Sequence, residues 1–477
     1  MLTTLAFFPL GAALVLLVIP KDNVKVIYGL SILMTCIPLL MVLYLWPAFI
    51  EDATLSIQET TEWASTTGVT YVLGVDGVNL PFLTILTFLA VLASVIPGPA
   101  TGKGLGRRSA ILLAWESTLL GAFLAQDYVL FLVFWALSTV PIYFLMERRK
   151  EENALAAAKT YTLSSLVSTT ALAAGLLVLF SSLMEPVFVS GELNDLAATY
   201  LSPATQWWIF LAVFVACGLR LPIFPFHIWL PLTMSRLSTS TIMILVGGFI
   251  PLSIYCLLRF ALAILSDAVS AFSLILALAG LANLLFGSLA SLGTDDHHRK
   301  ASYQIMIYTG TALLATATLT LDGINGALFT MLAMVLAIAY SMSVAVLVSR
   351  NANLDRWPLV LYGLDAALQL RLPGFVGFVG LALAFSAIFR SYRSLSLAVI
   401  GALLLTAIDY GRILSQILAS PPPKESGVAD SSWPSLTVGA GTVATLLILV
   451  SVVLGLRSEL LLEVLTPAVN QIMPLLN

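Results

Sequence analysis

Long apolar runs separated by short polar loops recur along the whole chain. Each run has the roughly 18–25 residues that a helix needs to cross about 30 Å of hydrocarbon. Because a bilayer offers no partner to backbone polar groups, runs of this length predict transmembrane helices and an all-α polytopic membrane protein. The predicted spans are 1–20, 25–48, 78–97, 109–126, 127–146, 160–183, 207–226, 241–263, 269–292, 303–321, 324–349, 360–389, 394–418 and 436–456.

Two of these spans contain a sequence that interrupts a helix. Pro222, Pro225 and Pro231 follow one another within the seventh span, and proline removes a backbone donor and clashes with the preceding turn. Residues 370–375 of the twelfth span, Leu-Arg-Leu-Pro-Gly-Phe, nearly repeat residues 219–224, Leu-Arg-Leu-Pro-Ile-Phe. The two copies lie five spans apart and are therefore oppositely oriented. Matched broken helices in two inverted halves are typical of transporter cores.

Basic residues are concentrated in the loops after odd-numbered spans, whereas loops 49–77 and 184–206 contain no Lys or Arg. Arg390 and Arg393 are the exceptions. By the positive-inside rule, we expect both termini on the periplasmic or lumenal side of a plasma or thylakoid membrane. The basic loop residues are Lys21, Lys25, Lys103, Arg107, Arg108, Arg148, Arg149, Lys150, Lys159, Arg236, Arg299, Lys300, Arg350, Arg356 and Lys424.

Composition excludes several classes of function. Of the 477 residues 59% are hydrophobic and 10% are charged, against roughly 25% charged in soluble domains, so a soluble enzyme is excluded. Cys36, Cys217 and Cys256 all lie in apolar stretches, which argues against a disulfide framework or a CxxC metal site. The net charge of −3 and the lack of basic tracts argue against nucleic-acid binding. We therefore expect no catalytic residue, metal or cofactor, and a lipid bilayer as the surroundings.

Motifs in a characteristic order resemble the antiporter-like membrane subunits of respiratory complex I, particularly the subunit 4 type (chain M or D). The matching motifs are Gly74-Val-Asp-Gly77, Trp115-Glu116, Phe131-Leu-Val-Phe-Trp135, Pro141-Ile-Tyr-Phe144, Pro222-Ile-Phe-Pro-Phe-His-Ile-Trp-Leu-Pro231, Leu257-Leu-Arg-Phe260, Asn325-Gly-Ala, Leu372-Pro-Gly-Phe375 and Phe378-Val-Gly380. The resemblance implies two inverted five-helix bundles, each with a broken helix, among other membrane-arm subunits. We accordingly divide the chain into 1–97, the first bundle 109–263, the second bundle 269–418, and 436–477.

The resemblance also implies a row of titratable groups near the middle of the membrane, because the family passes protons along such a row. Buried carboxyl, lysine and imidazole groups suit this task since their protons exchange near neutral pH. In this sequence most of the corresponding positions cannot titrate. The replaced positions are Ala136, Met234, Pro251, Met334 and Leu381.

Arg220 takes the place of a family lysine in the seventh span, and Glu116 in the fourth span matches a retained position. A guanidinium holds its proton, so Arg220 is suited to fixing a partner rather than to relaying protons. We expect an ion pair between Arg220 and Glu116, because either charge alone in hydrocarbon is costly. The alternatives are a gate or electrostatic plug, and a proton path of another kind.

Other intramembrane polar groups also have two interpretations. His227 lies on the broken seventh span, where it either lines a wet cavity or bonds carbonyls that the prolines leave free. Asp365, Arg371, Asp409 and Arg412 either form compensated pairs across spans 12 and 13 or mark a relocated pathway.

Three functions remain after these observations. The first is a cofactor-free subunit of a complex I-type NAD(P)H- or ferredoxin-quinone oxidoreductase, with proton translocation through this chain impaired or lost. The second is a subunit of a redox-free transporter, either a cation/proton antiporter of the Mrp type or an inorganic-carbon uptake system. A lone secondary transporter is the third, although no paired substrate site is evident.

Overall fold

Nearly the whole chain is helical, as the apolar pattern predicts. The computed structural model describes residues 1–20, 22–64, 69–96, 104–147, 152–182, 201–350, 357–419 and 434–472. Helices α1 to α19 are Leu2–Val18, Val24–Glu51, Leu80–Val95, Leu105–Leu124, Tyr128–Leu137, Val140–Glu147, Glu152–Ser182, Pro203–Arg220, Trp229–Met234, Thr239–Ile244, Pro251–Cys256, Ser266–Leu292, His297–Thr316, Leu321–Arg350, Trp357–Gln369, Val376–Ser391, Arg393–Ala419, Pro434–Leu456 and Glu459–Ile472.

Each of the fourteen predicted spans contains at least one of these helices. Within the described ranges, eight helical stretches are long and apolar enough to cross a membrane, and α1, α3 and α16 are shorter apolar helices. The predicted class, an all-α polytopic membrane protein, is confirmed, whereas the number of crossings stays a prediction. Several loop residues used for the charge rule, among them Lys103, Arg148, Arg149, Lys150 and Arg356, lie outside the described residues.

The loop at 49–77 holds a β-hairpin that the all-α prediction did not include. Strands β1 (Ile57–Ala64) and β2 (Val69–Val75) pair antiparallel. Glu59 joins the hairpin to α1, accepting hydrogen bonds from the Thr3 amide at 3.1 Å and hydroxyl at 2.8 Å, and from the Met1 amine at 3.2 Å. Burial acts to raise the pKa of the Glu59 carboxyl, but these bonds together lower it.

Both predicted helix breaks are present. Helix α8 ends at Arg220, a 3₁₀ turn spans Phe226–Ile228, and α9 then continues in the same region of the chain. In the second half α15 ends at Gln369 and α16 begins at Val376, with Gly374 between them. The Leu-Arg-Leu-Pro sequence lies at each break, so the same local chemistry interrupts both helices.

The helical stretch Thr239–Leu262 is fully buried from Ser240 to Leu258. It passes through two π-helical segments, Leu245–Phe249 and Leu257–Leu262, on either side of α11. Pro251 is the first residue of α11, where the N–H that proline lacks is not needed for the helix. The wider π turn ahead of it accommodates the proline ring without ending the stretch.

Candidate functional site in the two bundles

Arg220 is held by the end of the neighbouring helix α5 rather than by an acid. Its Nη2 donates to the Trp135 carbonyl at 2.6 Å and to Thr139 Oγ1 at 3.2 Å, while Nη1 donates to Ser138 Oγ at 3.0 Å. The guanidinium carbon lies 3.7 Å from the centre of the Trp135 ring and 4.4 Å from that of Phe249. The side chain is 1% exposed, so it is a fully buried cation.

The predicted ion pair between Glu116 and Arg220 is wrong. Within the described ranges, neither carboxylate oxygen of Glu116 has a hydrogen-bond partner, although the residue is fully buried. The physical reason lies in α5, which ends at Leu137. Carbonyls in the last turn of a helix lack intrahelical partners and carry partial negative charge, so the Trp135 carbonyl, with the Ser138 and Thr139 hydroxyls, solvates the guanidinium in place of a carboxylate.

Arg371 repeats this arrangement in the second half. Its guanidinium lies 4.2 Å from the centre of the Tyr308 ring, and both Nη atoms donate to Thr311 Oγ1 at 3.3 Å. The ring and the hydroxyl are three residues apart on α13, just as Trp135 and Ser138 are around α5. The expected pairing of Arg371 across spans 12 and 13 is therefore wrong, since the repeated motif places it against span 10.

Asp409 is paired with a lysine that the sequence placed in a loop. Lys300 Nζ lies 2.6 Å from Asp409 Oδ1, and Ser291 Oγ donates to Oδ2 at 2.8 Å. Lys300 is 5% exposed, because α13 begins at His297 and carries the lysine into the interior. The partial contact of Asp409 with Arg412, at 3.8 Å, follows from their i,i+3 spacing on α17. Asp409 is thus charge-compensated, but by Lys300 on α13 and not by a pair across spans 12 and 13 as expected.

Asp365 forms the other half of the same polar region. Its carboxylate accepts hydrogen bonds from the Ser341 hydroxyl and, at 3.1 Å, from the Tyr410 hydroxyl of α17. Gln369 Nε2 in turn donates to Ser341 Oγ at 3.1 Å. Asp365, Tyr410 and Lys300 line one small cleft. Asp365 and Lys300 therefore share one cleft, and Lys300 is also the ion-pair partner of Asp409.

His227 does not bond the carbonyls freed by the prolines. Its Nδ1 is buried without a hydrogen-bond partner, and its ring centre lies 4.4 Å from that of Phe286 and 5.6 Å from that of Phe224. The expected role belongs instead to Trp229, whose Nε1 donates to the Leu219 carbonyl at 2.6 Å. Trp229 thus bonds a backbone carbonyl at the break. The His227 ring lies instead against the Phe224 and Phe286 rings.

The five replaced relay positions contribute no titratable group. Three of them are buried in apolar surroundings, namely Met234, Pro251 and Met334. The remaining two, Ala136 and Leu381, are partly exposed. Among the described residues, no group of three or more His, Cys, Asp or Glu side chains is placed to hold a metal ion.

The two halves therefore differ in what they can do chemically. At the break in each half lies a guanidinium, Arg220 or Arg371, which keeps its proton throughout the physiological range and acts as a fixed charge. In the second half a carboxyl group, a lysine and a tyrosine share one polar cleft, and carboxyl and lysine groups do exchange protons when buried.

Comparison with known proteins agrees with this architecture. Residues 125–406, more than half of the chain, match the family described as NADH:quinone oxidoreductase/Mrp antiporter, transmembrane. A curated relative from a Synechococcus strain, NAD(P)H-quinone oxidoreductase chain 4 1, is 29% identical over 394 residues, covering 80% of this chain and 74% of its own length. A second relative of that name from Picosynechococcus is 27% identical over 462 residues, covering 92% and 84%.

Two solved structures resemble the whole fold. A chain of respiratory complex I from Thermus thermophilus matches with a TM-score of 0.86 at 20% identity, with 100% of both chains covered. A chain of the Mrp complex from Dietzia matches with a TM-score of 0.84 at 18% identity, covering 100% of this chain and 99% of that one. On the family match and on the buried architecture described above, this chain belongs to the NADH:quinone oxidoreductase/Mrp antiporter family as an antiporter-like membrane subunit.

Proposed function

We propose that the chain is a membrane-arm subunit of a complex I-type NAD(P)H- or ferredoxin-quinone oxidoreductase, in which the first bundle no longer passes protons. The observation that carries the second part is Arg220, which is buried against one helix-end carbonyl and two aromatic rings where a relay needs an exchangeable group. The curated relatives named chain 4 support the first part.

Lysine, carboxyl and guanidinium groups differ in how readily they release a proton. A buried lysine or carboxyl group exchanges its proton with water when burial brings its two forms close in energy. A guanidinium delocalises its charge over three nitrogens and keeps it. Ala136 and Pro251, at two further positions of the row that the resemblance implies, cannot titrate either. In this proposal the bundle serves as a structural spacer.

A second candidate is a subunit of a redox-free ion or inorganic-carbon transporter, favoured by the similarity to the Mrp chain. Gentle detergent extraction followed by identification of the co-purifying proteins separates the two. Iron–sulfur proteins in stoichiometric amount are expected if the first proposal is correct. Small Mrp-like membrane subunits without redox proteins would support the second candidate, and a chain that purifies alone would contradict both.

We also propose that both termini face the periplasm or lumen, as the distribution of basic residues indicates. An epitope fused after residue 477 should then be cleaved by protease added to that side of sealed membranes. Cleavage from the opposite side would contradict the orientation, and with it the assignment of the basic loops.

A further inference from the structure

The polar region around the second-half cleft contains two buried carboxyl groups but only one buried lysine among the described residues. Asp365 is 4% exposed and Asp409 is completely buried, and Lys300 lies 2.6 Å from the Asp409 carboxylate. Within the described part of the chain, no lysine or arginine forms an ion pair with Asp365. A buried carboxylate without a cation is costly, because no opposite charge replaces its lost water. Asp365 is therefore the carboxyl group of this region that gains most from binding a proton.

The hydrogen bonds of Asp365 suit both its charged and its neutral form. Ser341 and Tyr410 donate their hydroxyl hydrogens to the two carboxylate oxygens. A hydroxyl group has one hydrogen and two lone pairs, so each of these oxygens can also accept from a protonated carboxyl group once its own hydrogen has rotated. Glu116 of the first bundle, by contrast, lines a separate and mainly apolar cleft and has no hydrogen-bond partner within the described ranges. The pocket of Asp365 thus stabilises either state of the carboxyl group.

The cleft beside Asp365 reaches the surface at the first turn of α13. His297, the first residue of that helix, is exposed and lines the cleft together with Tyr362 and Asp365. The Tyr362 hydroxyl lies 3.2 Å from His297 Nε2, and Tyr362 precedes Asp365 by three residues on α15. Arg299, one of the basic residues used for the charge rule, lies two residues after His297. The mouth of the cleft is therefore on the side of the basic loops.

The hydrogen bonds that lead inward from Asp365 stop at the helix break. Gln369, the last residue of α15, donates to Ser341 Oγ at 3.1 Å, and its Oε1 has no hydrogen-bond partner within the described ranges. Beyond the break Arg371 is a fixed positive charge. The described hydrogen bonds therefore connect one surface of the bundle to the break and do not cross the membrane.

Few of the titratable groups around Asp365 change their charge near neutral pH. Tyrosine and lysine both hold their protons there, which leaves Asp365 and His297 as the members of the cleft that can titrate. The titratable side chains that face Asp365, apart from His297 at the mouth, are Lys300 and Tyr308 of α13, Tyr340 of α14, Tyr362 of α15 and Tyr410 of α17.

We propose that Asp365 is a proton-binding site of the second bundle, which takes up and releases its proton on the basic-loop side through the cleft at His297 and Tyr362. Bulk water supplies the proton, and a carboxylate oxygen of Asp365 accepts it. Lys300 stays with Asp409 and holds that carboxyl group in its ionised form. Asp365 is not one of the five replaced relay positions, so this site is separate from the row that the resemblance implies. The inference rests on the proposed function only for its place in a redox-linked complex, since proton binding itself needs no electron transfer.

Proton binding is tested with dicyclohexylcarbodiimide, which modifies protonated carboxyl groups in apolar surroundings. Native membranes that contain the assembled complex are treated over a range of pH, and tryptic peptides are quantified by mass spectrometry. Peptides 357–371 and 394–412 each contain a single acidic residue, Asp365 and Asp409 respectively. We expect modification of Asp365 to fall about tenfold per pH unit on the alkaline side, as for one titrating group, while Asp409 stays unmodified.

Lys300→Met provides the matched comparison within the same cleft. Without its cation the Asp409 carboxyl group should take up a proton, so its peptide should become modified as well. No modification at Asp365, modification that does not change with pH, or equal modification of both peptides in the wild-type chain would overturn the proposal.

The route to Asp365 is tested by labelling a cysteine at this position in sealed vesicles. Asp365→Cys should react with a membrane-impermeant maleimide only from the side on which Arg299→Cys, at an exposed position, reacts. Gly363→Cys is the control and should stay unlabelled, since position 363 lies on the same helix, has open space at its Cβ and does not line the cleft. If Asp365→Cys does not assemble, Tyr362→Cys replaces it.

Labelling from the opposite side, or no labelling from the Arg299 side, would overturn the proposed route. Neither measurement uses electron transfer. A complex that assembles without iron–sulfur proteins would therefore contradict the proposed function and leave both expected results unchanged.

Discussion

Two buried arginines, Arg220 and Arg371, lie on aromatic rings and hydroxyl groups without a carboxylate partner. A guanidinium is planar and weakly hydrated for a cation, so ring faces and oxygen acceptors replace much of its lost water. By contrast Lys300, a compact and strongly hydrated cation, is buried against the carboxylate of Asp409. At these three positions the type of cation matches the groups that replace its water: rings and neutral oxygens around arginine, a carboxylate beside lysine.

Replacing Arg220 tests the contribution of this environment to stability. We expect Arg220→Met to lower the free energy of unfolding by about 2–4 kcal/mol, because the Trp135 carbonyl loses a charged donor and two ring contacts disappear. Arg220→Lys should lie between, since it keeps the charge but loses the fork of donors. Thermal unfolding in detergent measures both. The control is Arg393→Met, an exposed arginine 5.2 Å from the Phe389 ring, and equal losses at the two sites would contradict the account.

The Lys300–Asp409 pair predicts strongly coupled substitutions. Lys300→Met leaves a fully buried carboxylate without its partner and should cost about 3–5 kcal/mol. The double variant Lys300→Met/Asp409→Leu should recover much of that loss, because it leaves neither of these two charges buried without its partner. The exposed pair Arg457–Glu459, at 3.3 Å, is the control and should cost under about 1 kcal/mol when broken. Additive losses in the denaturation midpoints of the buried pair would argue against direct coupling.

Sequence reasoning placed the charged residues of the interior but often not their partners. Arg220 and Glu116 are both buried as expected, yet they form no ion pair. The guanidinium is hydrogen-bonded instead to the end of α5. Lys300 was assigned to a loop since its neighbours Arg299 and Asp296 are polar, and only the N-terminal extension of α13 buries it. Partner identity depends on helix rotation and register, which a single sequence does not encode locally.

At the scale of elements, the break between α15 and α16 depends on Gly374. Its φ is +97°, a backbone conformation that residues with a side chain rarely adopt. No atom lies within 4 Å of the position that a Cβ would take. The requirement for glycine here is therefore one of backbone conformation and not of space.

A pair of glycine substitutions tests this conclusion. Gly374→Ala should destabilise the protein by about 1–2 kcal/mol through backbone strain alone. Gly363→Ala on α15 also has open space at its Cβ position but lies inside a helix, so it should be neutral or stabilising by up to about 1 kcal/mol. Thermal unfolding of the two variants side by side measures the difference. Equal effects would show that the break tolerates any small residue.

The helix breaks could be predicted from sequence because proline and glycine act locally, and both breaks occur at Leu-Arg-Leu-Pro. The hairpin formed by β1 and β2 could not, because strands of eight and seven residues are too short to register as membrane spans and lie in a loop between two apolar runs. The π segments before and after α11 also carry no sequence signal beyond Pro251. Elements fixed by tertiary pairing were thus missed, while elements fixed by chain chemistry were found.

Taken as a whole molecule, the chain distributes exchangeable groups unevenly between its halves. The first half has Arg220 at its break and Glu116 in a separate cleft, with no bond between them. The second half has Asp365, Lys300 and Asp409 around a single polar cleft. A proton route through the first half would need a hydrated path around a permanent positive charge. The four-part division of the chain and the side on which the termini lie stay predictions.

The central claim, that the first bundle does not pass protons, is tested most directly by the number of protons pumped per electron in proteoliposomes. The assembled oxidoreductase with wild-type chain is compared with Arg220→Gln, and with Arg393→Gln as the matched surface control, each normalised to assembled complex. We predict the same proton-to-electron ratio in all three, because a guanidinium that never releases its proton carries none across. A lower ratio in Arg220→Gln, at equal assembly and equal electron transfer, would contradict the account.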